Sequence, residues 1–144
     1  MSLLLTASQT VGPFGAISFE TSRIESLAPA GVSGERITLR GRVLTNNNGA
    51  FQLTTIKPGR VPGPGGILQA PHLVAVVFMR GLLKHLVTRI YFPGEPGNAD
   101  DPILKLVPAE RRATLIAKKI AAERGVLEWN VILQGKDETV FFDY

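Results

Sequence analysis

The sequence predicts an all-β protein, an antiparallel β-sandwich with one short helix near residues 109–124. Two observations favour this fold class. About five or six short runs have the apolar content or the period-two alternation of strands, and clusters of Gly, Pro and Asn separate them. Only one segment has helical spacing. Several short strands with a single helical addition are typical of a β-sandwich.

The chain of 144 residues is long enough for one core, and we expect a single sandwich domain over residues 35–144. Residues 1–34 have little periodicity and are predicted to form an extended N-terminal arm. The pair Gly12-Pro13 predicts a bend in this arm, because proline fixes its own φ and disfavours the α region in the residue before it.

After the arm, the sequence predicts two strands joined as a hairpin. Residues 35–44 alternate strictly between apolar and polar side chains, and residues 51–56 alternate again. Between them, Asn48-Gly49 supplies the positive φ that a tight turn needs. The following Pro- and Gly-rich stretch, residues 57–66, is predicted to be a rigid loop without regular structure.

The longest apolar run, residues 69–92, contains both histidines. Every position from 73 to 78 is Leu, Val, Ala or Phe, so both faces of a strand over 72–78 are apolar and the pattern predicts a buried core strand. Arg80 follows it and places a guanidinium at the edge of an apolar wall, where it can hold a carboxylate. Residues 85–92 predict a second strand.

The remaining residues predict a loop, a helix and two strands. Residues 93–101 are rich in Pro, Gly, Asn and acidic side chains and predict a loop. The helix is expected over 109–124, with Pro108 near its start and Gly125 at its end. Residues 127–133 alternate along one further strand, and residues 139–142 form the last.

Composition excludes several function classes. The chain carries 16 Lys and Arg against 12 Asp and Glu, but these basic residues are scattered and no nucleic-acid motif is present, so no nucleic-acid partner is expected. No apolar run is long enough to span a membrane, and the N-terminus lacks the basic start of a secretory signal. The absence of cysteine suits a reducing compartment, and a cytoplasmic location is expected.

The residues that can carry chemistry are few. Two His and two Tyr form a known ligand set for ferric iron, and the chain contains only His72, His85, Tyr91 and Tyr144. Spacing argues against a complete site, because the two histidines come from different strands and the next residue on the His72 face is Val74, which ligates nothing. No nucleophilic serine motif and no phosphate-binding loop are present.

Seven blocks of the sequence closely resemble the alpha chains of protocatechuate 3,4-dioxygenases, in the intradiol ring-cleavage dioxygenase family, and they occur in family order. The blocks are TASQTVGPF (6–14), GERITLRGRVL (34–44), GAFQLTTIKPG (49–59), QAPHLVAVVFMRGLL (69–83), TRIYF (88–92), VPAERRATLIAKK (107–119) and QGKDETVFFDY (134–144). The resemblance implies a β-sandwich subunit of an enzyme that uses O2 and non-haem Fe(III) to cleave a catechol ring between its hydroxyl groups.

The same resemblance assigns the iron to a different chain. In the family, a homologous beta chain holds Fe(III) with two Tyr and two His. By resemblance, Val61 stands at a tyrosine position, His72 retains the first histidine and Val74 replaces the second. The resemblance therefore implies no metal site in this chain, and it makes His72 a vestigial ligand.

The alpha chain's implied role is on the substrate side of a shared pocket. By resemblance, the pocket is lined by Thr10, Gly12, Pro13 and Phe14, and Arg80 lies near the substrate carboxylate. The implied reaction converts protocatechuate to 3-carboxy-cis,cis-muconate in an alpha-beta assembly of higher order, and this chain alone is expected to be inactive.

One departure from the family opens an alternative. Several strands' worth of family sequence is missing after Leu44, which is followed here directly by Thr45. A true deletion would remove part of a sheet and expose backbone edges and apolar area. The alternative function is therefore a degenerate β-sandwich interaction module with no catalytic role.

Overall fold

The computed structural model describes residues 31–44, 49–79 and 81–143 of the chain. Its nine strands within these ranges are β1 (Arg36–Leu44), β2 (Gly49–Ile56), β3 (Val61–Pro62), β4 (Leu68–Gln69), β5 (His72–Val77), β6 (Leu86–Tyr91), β7 (Lys118–Lys119), β8 (Val126–Glu128) and β9 (Val131–Ile132). One short α-helix, α1 (Pro102–Leu106), and 3₁₀ turns at Pro64–Gly66, Pro96–Ala99 and Ala109–Leu115 complete the described elements. No helix among these residues is long and apolar enough to cross a membrane.

The larger sheet is built around β1. Strand β2 pairs with one edge of β1 in antiparallel register, from Arg36 opposite Ile56 to Val43 opposite Gly49. The predicted hairpin is thereby confirmed, although its turn, residues 45–48, lies outside the described residues. The other edge of β1 pairs in parallel with β8 and β9, and β7 pairs with β8. The sheet is thus mixed, because the C-terminal strands join β1 in parallel orientation.

The smaller sheet consists of β5 and β6, which pair antiparallel from His72 opposite Tyr91 to Val77 opposite Leu86. Side chains from both sheets form the main core, whose buried members are Ile37, Leu39, Ile90, Phe92, Ala117, Leu127, Trp129 and Val131. A second buried cluster lies on the other face of β6 and contains Ala70, Tyr91, Leu104, Val107 and Leu115. Two facing sheets with a shared apolar core confirm the predicted β-sandwich.

Gly41 in β1 permits a close approach of the segment between β8 and β9. A Cβ built at this position would lie 1.8 Å from the Trp129 carbonyl oxygen and 2.5 Å from the Phe51 ring. The backbone of Trp129 is held there because its N–H donates to the Arg40 carbonyl at 2.9 Å. Only glycine leaves room for this contact in the middle of β1.

We expect Gly41→Ala to destabilise the fold by about 3 kcal/mol, because a methyl group at this position overlaps backbone that cannot move without breaking the β1 pairing. Urea unfolding followed by the fluorescence of the single tryptophan measures the effect. Gly59→Ala is the matched control, because a Cβ at Gly59 meets no atom within 4 Å; we expect a change within about 0.5 kcal/mol. Equal stability of the two variants would contradict this account of Gly41.

The predicted helix over 109–124 is wrong. The structure has a 3₁₀ helix over Ala109–Leu115, followed by strand β7 and a turn. Strand-type hydrogen bonds explain the difference: the Ala117 N–H donates to the Tyr91 carbonyl, and Lys118 pairs with Glu128 of β8. Tertiary pairing therefore overrides the helical spacing of this segment.

Three smaller expectations also change. The single strand predicted over 127–133 is divided into β8 and β9, and residues 139–142 contribute only an isolated bridge between Phe142 and Val87. The loop predicted over 57–66 contains β3, which pairs with β4 as a short ladder. The expected boundary between arm and domain stays a prediction, because residues 1–30 lie outside the described residues.

The expectation that β5 is buried on both faces is wrong in this chain. Leu73, Ala75 and Val77 pack against the main core. On the opposite face, Val74 is 59% exposed and Val76 is 47% exposed. The outward face of β5 is therefore open at Val74 and Val76.

Candidate functional site

The candidate site lies on the outward face of the smaller sheet, around His72. Strand register places His72 opposite Tyr91, and Val74 opposite Arg89. The rings of His72 and Tyr91 pack with their centroids 5.7 Å apart. These four side chains therefore lie on the same face of the sheet. Arg89 and Tyr91 on β6 are buried, whereas His72 on β5 is half-buried and Val74 is exposed.

His72 is held in one tautomer by the backbone. Its Nδ1 lies 2.8 Å from the Ala70 carbonyl oxygen, which can only accept, so Nδ1 carries the proton and donates. In the neutral ring, Nε2 then has a free lone pair. This arrangement is the one in which a histidine usually binds a metal or accepts a proton.

The residue that organises the site is Asp101, whose side chain is fully buried. Its Oδ2 accepts the Ala70 N–H at 2.8 Å, and its Oδ1 accepts the Tyr91 hydroxyl at 3.0 Å. Oδ1 also accepts the N–H groups of Ile103 and Leu104, which caps the N-terminus of α1. One carboxylate thus joins the chain before β5, the end of β6 and the start of α1.

Tyr91 is fully buried and cannot ionise easily. Burial raises the pKa of its hydroxyl well above the ordinary value, and the negative charge of Asp101 and the hydrogen bond to it raise it further, while Arg89 partly offsets the shift. Arg89 is also buried, and its Nη1 donates to Gln69 Oε1 at 2.6 Å. The charges of Asp101 and Arg89 therefore flank a tyrosine that stays neutral.

We expect Asp101→Asn to destabilise the fold by about 2 to 4 kcal/mol. The amide keeps one acceptor oxygen, but its NH2 group must face a backbone or hydroxyl donor, which leaves buried groups unpaired. Urea unfolding measures the change. Asp100→Asn is the matched control, because Asp100 is an exposed neighbour with one long ion pair to Lys105 at 3.5 Å; a comparable loss in that variant would contradict the role of Asp101.

The Tyr91 pKa predicts a difference between the wild type and Tyr91→Phe that depends on pH. The folded-state pKa is raised above the unfolded value of about 10, so the hydroxyl's contribution is fully present below that pH and is lost as the pH rises above it. At about pH 8 we expect the wild type to be more stable by about 1 kcal/mol. Urea unfolding at about pH 11 should show a smaller or reversed difference in unfolding free energy between the two proteins. A gap that does not change with pH would contradict this prediction.

The donor set around His72 does not fit ferric iron. The side chain of Val74, the next residue on this face of β5, has no donor atom, and the Tyr91 hydroxyl is already bound to Asp101. His85 packs against the Phe78 ring, with centroids 5.5 Å apart, near the far end of β5. The described residues hold no group of three or more His, Cys, Asp or Glu that would bind a metal ion. Within the described part of this face, His72 is therefore the residue that offers a free ligand atom.

The predicted substrate-binding residues fall outside what the structure describes. Thr10, Gly12, Pro13 and Phe14 lie in the segment 1–30, and Arg80 lies in the one-residue gap between 79 and 81. Their assignment to a pocket stays a prediction.

The functional residue that sequence reasoning missed is Asp101, which was included in a predicted loop. A signal was present, because Asp101-Pro102 combines a preferred N-cap residue with proline at the first helical position. The short length of α1 concealed it. The hydrogen bonds of Asp101 to Ala70 and Tyr91 are long-range contacts that the local sequence does not specify.

A cleft of about 390 Å³ lies on the other side of β6, beside Phe92. Its apolar walls include Ile37 and Leu127, and Lys57 lies over the Phe92 ring, 5.7 Å from its centroid. Lys57 also forms an ion pair with Glu95. The cleft is separate from the His72 face, because Tyr91 and Phe92 are consecutive residues that belong to different clusters.

Comparison with known proteins places these features in a family context. The chain is 45% identical over 132 residues to a protocatechuate 3,4-dioxygenase alpha chain from Burkholderia cepacia, which covers 90% of this chain and 63% of that protein. The chain is a relative of protocatechuate 3,4-dioxygenase alpha chains. Identity to the alpha chain from Pseudomonas putida is 41% over 108 residues, covering 72% of this chain and 54% of that protein.

Similarity to a beta chain is lower. The protocatechuate 3,4-dioxygenase beta chain of Burkholderia cepacia is 33% identical over 106 residues, covering 69% of this chain and 45% of that protein. The recognition of an alpha-type relative is therefore confirmed. The chain spans between about half and two thirds of the length of these curated relatives, and it matches no protein-family model.

Two solved structures confirm the fold class. The dioxygenase domain of a dioxygenase carbohydrate-binding protein fusion from Streptomyces sp. SirexAA-E superposes with a TM-score of 0.58 at 22% identity, covering 81% of this chain and 88% of that one. The 3-chlorocatechol 1,2-dioxygenase of Rhodococcus opacus 1CP gives a TM-score of 0.55 at 16% identity, covering 74% of this chain and 62% of that one. At these identities the likeness shows a common β-sandwich fold.

Proposed function

We propose that this chain acts as the non-iron-binding alpha subunit of a protocatechuate 3,4-dioxygenase, and that it helps form the substrate pocket for the O2-dependent cleavage of protocatechuate to 3-carboxy-cis,cis-muconate. The observation that carries the proposal is the 45% identity to an alpha chain over 90% of this sequence. The second support is chemical. The His72 face offers a single free imidazole nitrogen where an iron site needs several donors.

In this proposal the two kinds of chain have different roles. A homologous beta chain holds Fe(III), and this chain contributes binding groups for the organic substrate. The relatives include both an alpha and a beta chain, which supports such a pairing. The alpha chain alone is inactive and the assembly is cytoplasmic.

Arg80 is the proposed carboxylate-binding residue. Protocatechuate carries a carboxylate on the ring, and a guanidinium matches a carboxylate with two parallel hydrogen bonds that fix orientation as well as position. The described neighbours suit a position at an accessible edge: Met79 is 38% exposed, and Gly81 has a φ of 94°. The N-terminal residues Thr10, Gly12, Pro13 and Phe14 complete the proposed pocket.

The proposal is tested by producing the chain with and without an iron-bearing beta chain. We expect the two chains to purify together and to cleave protocatechuate, and we expect this chain alone to show no cleavage after incubation with ferric iron. Full activity of the isolated chain would contradict the proposed division of roles. Failure of the two chains to associate would contradict the proposed subunit role.

For the assembled enzyme, we expect Arg80→Ala to lower kcat/KM for protocatechuate by about 10- to 150-fold, which corresponds to about 1.5 to 3 kcal/mol. Turnover of catechol, which has no carboxylate, should change by less than about threefold. Arg36→Ala is the matched control, because Arg36 is exposed on β1 and should leave both rates unchanged. An equal loss with both substrates would contradict a carboxylate contact.

The alternative is a β-sandwich interaction module without a catalytic role. The exposed outward face of β5 favours it, because this apolar surface is available to another protein. Under this alternative the chain still binds a partner, but Arg80→Ala leaves ring cleavage by any assembly unchanged.

A further inference from the structure

The smaller sheet has an open edge. Among the described residues, β5 pairs only with β6, so the backbone N–H and C=O groups along its other edge have no strand partner. Proteins usually protect such an edge with a charge, a proline or a bulge. The residues from Leu73 to Met79 include none of the charged residues, Gly or Pro that would oppose further pairing.

Exposed apolar side chains are concentrated beside this edge. Eight of the ten large hydrophobic side chains exposed in the described residues lie between positions 61 and 83: Val61, Ile67, Leu68, Val74, Val76, Phe78, Met79 and Leu83. Phe78 is 77% exposed and Leu83 is 97% exposed. Scattered apolar residues are normal on a surface, but a group on one strand and its two flanking segments marks an interaction surface.

The smaller sheet is also short of strands. It has two, whereas the facing sheet has five. A sheet with an apolar face generally needs three or more strands to be stable. A partner strand added to the edge of β5 would satisfy both the open backbone groups and this shortage.

We propose that two copies of this chain pair edge to edge through β5, antiparallel and related by a two-fold axis at Ala75. The β5 sequence is nearly the same read in either direction along this axis: Leu73 meets Val77, Val74 meets Val76, and Ala75 meets its own copy. Each of these pairs is apolar, and β-branched pairs stabilise neighbouring strands. The result is one sheet in the order β6-β5-β5-β6 across the two copies.

The charge of the β5 segment and the residues at its ends are compatible with a second copy of the chain pairing along this edge. The paired segment is uncharged, so self-association brings no like charges together along the edge. At each end, His72 of one copy meets Phe78 of the other, which places two rings side by side. The pairing therefore brings the exposed Phe78 of each copy to the other copy.

This inference goes beyond the proposed function, since it requires neither iron nor a second kind of chain. It concerns the full chain alone, and its test is the oligomeric state. Sedimentation velocity over a range of protein concentrations should show a monomer–dimer equilibrium. A chain that remains monomeric at every concentration would overturn the proposal, whether or not it binds a beta chain.

Two double variants test the register. In the proposed pairing, Val74→Lys/Val76→Lys places lysine opposite lysine twice. We expect the dissociation constant of the dimer to increase by about tenfold or more. Val74→Lys/Val76→Glu places each lysine opposite the other copy's glutamate, and the dimer should be recovered to within about threefold of the wild type. Both positions are exposed in the monomer, so neither change disturbs the core.

Leu106→Lys is the control, because Leu106 is 78% exposed and lies outside the β5 surface. It should dimerise like the wild type. Circular dichroism of each variant establishes that it is folded. Equal effects of the two double variants would overturn the register, and a dimer that resists both of them would overturn the assignment of the interface to β5.

Discussion

The described structure depends on the buried carboxylate of Asp101. A charge with no exposed surface is unfavourable unless its oxygens are fully hydrogen-bonded, and here two backbone N–H groups of α1, one N–H before β5 and one phenol meet that requirement. Because these donors come from three segments, the carboxylate fixes where β5, β6 and the start of α1 lie relative to one another. The orientation of His72 follows from this, since Ala70 donates its N–H to Asp101 and accepts from the imidazole through its carbonyl oxygen.

The hydrogen bonds that position His72 do not require a bound metal. His72 has the tautomer and the free nitrogen of a metal ligand, yet the next residue on the same face of β5, Val74, offers no donor to a metal. The supporting interactions are needed for folding, because removing them would leave buried groups unpaired. A ligand residue, in contrast, can be exchanged for valine without that penalty. The hydrogen-bond network and the identity of the residue at position 74 are therefore under different constraints.

Local patterns in the sequence predicted the parts of the fold that depend on alternation. The β1–β2 hairpin follows from two period-two runs, and Ile37 and Leu39, two apolar members of the first run, are buried. The segment after Pro108 was mispredicted, because its apolar spacing suits a helix while its backbone is bound by β6 and β8. Burial of β5 was mispredicted for another reason. An apolar face indicates that a strand packs against other residues, but it does not show whether those residues belong to the same chain.

The parallel pairing in the larger sheet has a consequence for synthesis of the chain. Strand β2 reaches β1 through a short local connection, but the Arg42 N–H bonds to Asn130, a residue 88 positions away. Until residues 126–132 have left the ribosome, the second edge of β1 has no partner and its apolar face lacks Trp129 and Val131. During that interval the nascent chain carries an unpaired strand edge that can pair with another chain.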